Sequence, residues 1–141
     1  MKLTLSPLTG HLWLPSDRSL TPNLHPDTVG ALGPAQLPTR RDLHNGWVWY
    51  DLRFEDPSWR LGLSLSFEGA SLRSYHFGLP TTAPPVSSWA NWSEAEERQR
   101  GLAFDAWLTS QLGEARTFSW GQAWAGYDSR SGSSSIIVRY Q

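Results

Sequence analysis

The sequence predicts an α+β fold: an antiparallel sheet of about five to seven strands with one long helix, about residues 93–112, packed on one face. Three observations carry this expectation. Residues 47–77 hold three runs of alternating apolar and polar side chains separated by turn signals. Residues 93–112 place apolar side chains at helical spacing behind a capping sequence. Residues 118–140 return to alternation in two runs around a glycine-bounded turn.

In chain order, Leu3, Leu5, Leu12 and Leu14 alternate weakly around Pro7 and Gly10, which suggests one or two short strands about a turn. Residues 15–45 carry five of the ten prolines and little periodicity. Pro26-Asp27-Thr28 resembles a helix start, so a short helix is expected near Asp27–Leu32. So long a stretch is expected to cover a sheet edge or a sheet face rather than to hang free. From Trp47 the pattern sharpens. Val48, Tyr50, Leu52 and Phe54 share one face, and Trp47, Trp49, Asp51 and Arg53 share the other. Glu55–Ser58 makes a turn, Leu61, Leu63, Leu65 and Phe67 form the cleanest buried face, Glu68-Gly69 turns again, and residues 71–77 complete an antiparallel meander.

A proline-rich loop, residues 78–92, leads to Ser93-Glu-Ala-Glu96. There Ser93 is placed to cap the helix, with Glu94, Glu96 and Glu97 at the positive end of its dipole. Glu94 with Arg98 and Glu96 with Arg100 are i,i+4 pairs. Phe104, Trp107, Leu108 and Leu112 make the apolar stripe, and Gly113 is the expected C-terminal cap. Phe118, Trp120, Gln122 and Trp124 then read as one face of a strand, and Ile136, Val138 and Tyr140 as one face of its hairpin partner.

Composition limits the function. At 141 residues the chain is expected to be a single domain, and its 39% hydrophobic content is too high for disorder. Twelve basic and thirteen acidic residues leave a net charge of −1, which gives no electrostatic footprint for nucleic acid. No cysteine is present, so disulfides, thiol nucleophiles and cysteine zinc sites are excluded. No apolar run reaches membrane-spanning length, and the N-terminus lacks a secretory apolar segment, so a cytoplasmic location is expected. Arginine outnumbers lysine eleven to one. Nine tryptophans exceed what one small core needs, so some are expected at a binding surface.

Catalytic signatures are absent: no Walker loop, dinucleotide turn, Gly-x-Ser-x-Gly elbow or His-Glu-x-x-His motif occurs. No cofactor is expected. His25 lies two residues from Asp27, and Asp42 two from His44, but a metal site needs three or four convergent ligands. His76 reads as a half-buried strand histidine, and a base role would need a carboxylate or nucleophile beside it. Asn91-Trp-Ser93 matches a glycosylation acceptor, but Ser93 is already assigned to the cap.

Among the tryptophans, Trp107 belongs to the helix stripe, Trp89 and Trp92 flank the helix start, and Trp120 and Trp124 suit either core or platform. Trp47 and Trp49, beside Asp51 and Arg53, form the first candidate partner-binding set. Either that face is open, or residues 15–45 fold across it. Tyr127, Asp128 and Arg130, in the polar stretch Gly126–Gly132, form the second set.

The pieces Trp92-Ser-Glu-Ala-Glu-Glu-Arg98, Phe104-Asp-Ala-Trp-Leu108, Ser119-Trp-Gly121, Tyr127-Asp-Ser-Arg-Ser-Gly132 and Ile136-Ile-Val-Arg-Tyr140 resemble a group of small bacterial proteins. Some of these look like immunity proteins of toxin–immunity systems. The resemblance covers roughly residues 89–140, and more weakly the strands from Trp47. Its motifs are structural and carry no catalytic signature. It implies a non-catalytic protein-binding module that neutralises a cognate toxin protein. An uncovered tryptophan face would also favour a homodimer. The alternative is a small-ligand or carbohydrate-binding domain that uses exposed tryptophan platforms.

Overall fold

The computed structural model describes residues 3–80 and 92–141. Pro84, Pro85, Trp89 and Asn91, in the expected proline-rich loop, lie outside the described residues. The fold is α+β. A small antiparallel sheet contains β1 (Thr4–Leu5), β2 (Leu12–Trp13) and β3 (Ser19–Leu20), in that order. The main sheet contains β4 (Thr39–Asp42), β5 (Trp47–Asp56), β6 (Trp59–Glu68), β7 (Ser71–Phe77), β8 (Thr117–Phe118), β9 (Gly121–Asp128) and β10 (Ser133–Tyr140). Its order is β4-β5-β6-β7-β10-β9-β8, antiparallel throughout, so the last strand inserts between β7 and β9. The helix α1 spans Glu94–Leu112.

Period-two alternation divides the sheet into two faces. The inner face collects Leu52 and Phe54 of β5, Leu61, Leu63, Leu65 and Phe67 of β6, Tyr75 and Phe77 of β7, and Ile136, Val138 and Tyr140 of β10, all buried. The β5–β6 turn is tighter than the expected Glu55–Ser58. Both strands continue to Asp56 and Trp59 because the Asp56 carboxylate accepts from the Ser58 N–H at 3.0 Å and from its hydroxyl at 2.8 Å.

Two different layers cover the inner face. Helix α1 packs over β9 and β10 rather than over β5. Small side chains allow this: Gly121, Ala123 and Ala125 of β9 lie beneath the helix, and Gly101 of the helix meets the backbone of Gly126 and Tyr127. The inner residues of β5–β7 share one core with Leu5, Leu12, Leu14 and Leu20, and with Val29 and Leu32 of the 3-10 helix Pro26–Leu32. Residues 15–45 therefore join the core on the inner side and add the edge strand β4. Gln36 and Leu37 border the face bearing Trp47 and Trp49 at its β4 edge, lining a hollow with Asp51, Arg53 and Ser64, and no described element packs across that face.

The helix start matches its expectation in part. The Ser93 hydroxyl accepts from the Glu96 N–H at 3.3 Å, and Glu94 pairs with Arg98 at 3.6 Å. Arg100 does not pair with Glu96. It turns to Glu97, 2.6 Å away, because Glu97 lies on the sheet side of the helix and a buried carboxylate needs a cation. The Ser134 hydroxyl donates to the Glu97 carbonyl, tying helix to sheet. Trp92 donates its indole N–H to the Gly132 carbonyl at 2.6 Å and so anchors the helix start to the β9–β10 turn. Trp107 is half-buried, edge-on to Phe77.

The expected strand from Phe118 to Trp124 is broken. Ser119 and Trp120 form a tight turn between β8 and β9, and this separates Trp120 from Trp124. Trp120 stacks on Phe118 with ring centres 5.0 Å apart and donates to the Pro7 carbonyl at 2.9 Å. Its ring lies flat against Gly10, whose positive φ of 70° and missing side chain both suit glycine alone.

Candidate functional site

The outer face of the main sheet is floored by short side chains and flanked by two tryptophans. Register defines two cross-strand rows. One runs Arg41, Trp49, Ser66, Ser74, Arg139 and Gln122. The next runs Thr39, Asp51, Ser64, His76, Ile137 and Trp124. No described element packs over these rows, and Trp124 keeps 46% of its surface exposed.

The β5 side is preorganised. Arg41 donates from two nitrogens to the Asp51 carboxylate, at 2.7 and 3.0 Å. Ser64 donates to the same carboxylate at 2.7 Å, and the Arg41 guanidinium lies 5.5 Å from the centre of the Trp49 ring. The Trp49 ring also meets the His76 imidazole in a T-shaped contact. Burial, and then the Arg139 charge, hold the His76 imidazole below its ordinary pKa. The floor beside them is fastened by a hydrogen bond between the Ser66 and Ser74 hydroxyls at 3.0 Å.

Asp51, Ser64 and His76 stand side by side, yet their bonds do not make a nucleophile–base pair. The Ser64 proton is directed at Asp51, already neutralised by Arg41, while the imidazole packs on Trp49. The His25/Asp27 and Asp42/His44 pairs close local structure. The His25 ring accepts from the Asp27 N–H at 3.1 Å, and Asp42 accepts from the His44 N–H at 2.8 Å. That backbone bond lowers the pKa of Asp42. No three potential metal ligands converge among the described residues.

The first candidate set therefore shares one face: Trp47 and Trp49 are half-buried there, Asp51 is engaged by Arg41, and Arg53 is exposed. The second set divides. Tyr127 points to the inner side, where the Arg98 guanidinium covers its ring at 4.6 Å; burial, and then Glu94, raise its hydroxyl pKa. The Asp128 carboxylate accepts from the Arg130 N–H at 2.9 Å and shapes the turn. The Arg130 side chain is exposed and makes no ion pair among the described residues. The two sets lie on strands four steps apart, roughly 19 Å at ordinary strand spacing.

Sequence reasoning missed Arg41, Arg139 and Ile137 as members of this face, and it set Trp124 beside Trp120. A signal for Ile137 existed: with Ile136, Val138 and Tyr140 turned inward, it is an apolar residue on the polar side of the last strand. Trp13 was also missed; it is 50% exposed on the separate small sheet. Comparisons of the chain with protein-family models, with curated proteins and with solved structures find no match. No described helix is long and apolar enough to cross a membrane.

Proposed function

We propose that this protein is a non-catalytic binding module of the immunity type, which neutralises a cognate bacterial toxin protein by docking it on the outer face of the main sheet. The observation that carries this reading is the face itself: Trp49 and Trp124 flank a floor of serines, with arginines beside both rings. Tryptophan and arginine are the side chains that most often anchor protein interfaces, where a few residues supply most of the affinity. The Arg41–Asp51–Ser64 bonds hold one side of the face in place before any partner arrives, which lowers the ordering cost of binding.

A sugar platform at Trp49 has less support. The Arg41 guanidinium already lies over that ring and His76 is in T-shaped contact with it, so a pyranose stacked on the arginine's side would have to displace the arginine.

The test is co-expression with the polypeptide encoded directly upstream. Rescue from that polypeptide's toxicity, together with co-purification of the pair, is the expected result. Trp49→Ala and Trp124→Ala should each weaken both. A toxic neighbour that is neither bound nor neutralised overturns the reading.

A further inference from the structure

The β9–β10 half of the outer face contains a concavity of about 580 Å3 whose lining includes Gln122, Trp124, Asp128, Arg130, Ile137 and Arg139. Its chemistry is unbalanced in one direction. Elsewhere on the face the carboxylates are largely answered: Asp51 is held by Arg41 at 2.7 Å and Glu68 by Arg73 at 3.2 Å. Arg53, Arg60, Arg130 and Arg139, by contrast, make no ion pair among the described residues. Within the concavity the opposing charge is Asp128, which already accepts the Arg130 backbone N–H. Between the two guanidiniums lies an apolar surface, the exposed Trp124 ring beside its register partner Ile137.

We propose that this concavity is the anchor site for an acidic segment of a protein partner. A carboxylate is taken by the Arg139 guanidinium, a second acidic group of the segment is met by Arg130 at the hairpin turn, and an apolar side chain between them lies against Trp124 and Ile137. This inference rests on the reading of the chain as a protein-binding module and names the chemistry of what it binds. The physical reasons are two. A guanidinium offers a planar fork of donors that matches a carboxylate, and neither arginine would have to give up an existing ion pair to bind one. An apolar contact next to that pair excludes water and strengthens it. A basic partner would meet like charge at both arginines and is disfavoured at this site.

The test uses the full chain and a defined probe: a capped pentapeptide of alternating glutamate and leucine, against its counterpart with lysine for glutamate. Binding is followed by NMR at the Trp124 indole N–H and the arginine Nε–H groups. The glutamate peptide should shift the Trp124 and Arg139 signals, and the lysine peptide should not. Arg139→Gln should weaken glutamate-peptide binding by about tenfold or more, while Arg18→Gln, on the N-terminal turn, should leave it unchanged. Equal shifts with both peptides, no shift at Trp124, or unchanged affinity in Arg139→Gln overturn the proposal. Arg139→Gln is also carried into the co-expressed pair. A complex that forms and is indifferent to it overturns this inference while the protein-binding reading stands. Peptide binding at Trp124 with no complex from a toxic neighbour removes the immunity reading and leaves the anchor site standing.

Discussion

The Trp49 indole stands edge-on to the His76 imidazole, with ring centres 5.2 Å apart and planes at 82°. The contact shields the imidazole from water on one side, and the Arg139 charge opposes a proton on the other. Both effects favour the neutral ring, so its folded pKa lies below the ordinary value of about 6.5. The unfolded chain then binds the proton more readily. Stability should be full above about pH 6.5 and should fall as the pH drops through that value toward the folded pKa. Urea midpoints measured across that range should slope in the wild type and slope less in His76→Gln. In Trp49→Ala the His76 ring should titrate closer to its ordinary value by NMR.

Helix α1 approaches the sheet most closely at Gly101. A Cβ there would lie 2.9 Å from the Tyr127 nitrogen and 3.0 Å from Gly126 and Ser134. In an open helix, glycine to alanine is favourable by about 1 kcal/mol. Here two of the three neighbours are backbone and the third is the Ser134 hydroxyl bonded to Glu97, so none yields cheaply, overpacking should win, and Gly101→Ala should destabilise by roughly 1–3 kcal/mol. Gly62, on the outer face of β6, has nothing within 4 Å of its would-be Cβ. Gly62→Ala should instead be neutral or stabilising by up to about 1 kcal/mol. Opposite signs in chemical denaturation would establish the close approach at Gly101.

The β5–β6–β7 meander was legible because strands buried on one face must alternate, and Leu61, Leu63, Leu65 and Phe67 do so without interruption. The Ser93 cap was legible because its chemistry is local. What covers the inner face of β5–β7 was not, because the leucines of residues 3–32 reach the core through two-residue strands and a 3-10 turn too short for periodicity to show. The turn at Ser119-Trp120 was hidden for a similar reason: alternation continues through a two-residue turn, and only pairing shows that the chain reverses. The Arg41–Asp51 pair and the Trp124–Ile137 contact arise from register between distant segments, which no single run of residues displays.

The N-terminal sheet is fastened by the C-terminal strand. The Tyr140 hydroxyl donates to the Gly10 carbonyl at 2.6 Å in a buried setting, and burial raises its pKa well above the ordinary value. Tyr140→Phe keeps the ring and removes the donor, leaving that carbonyl unsatisfied. A loss of about 1–3 kcal/mol is expected by urea denaturation. The first amides to gain hydrogen-exchange rate should be Ser6 and Gly10, which close the turn through the Ser6–His11 and Gly10–Ser6 backbone bonds.

Tryptophans of the fold and of the face should separate cleanly by measurement. Trp107 packs edge-on to Phe77 at 5.8 Å and lies against the core, so Trp107→Ala should cost roughly 3 kcal/mol. Trp124 is 46% exposed and its neighbours on the outer face are open to solvent, so Trp124→Ala should change stability by no more than about 0.5 kcal/mol. If the outer face is the docking surface, the order reverses for binding. Trp124→Ala, though as stable as wild type, should lose the co-expressed partner, whereas a stabilised Trp107 variant should retain it. Thermal melts and pull-downs on the same two proteins decide the matter, and a Trp124→Ala protein that melts like wild type and still holds its partner would move the docking surface off this half of the sheet.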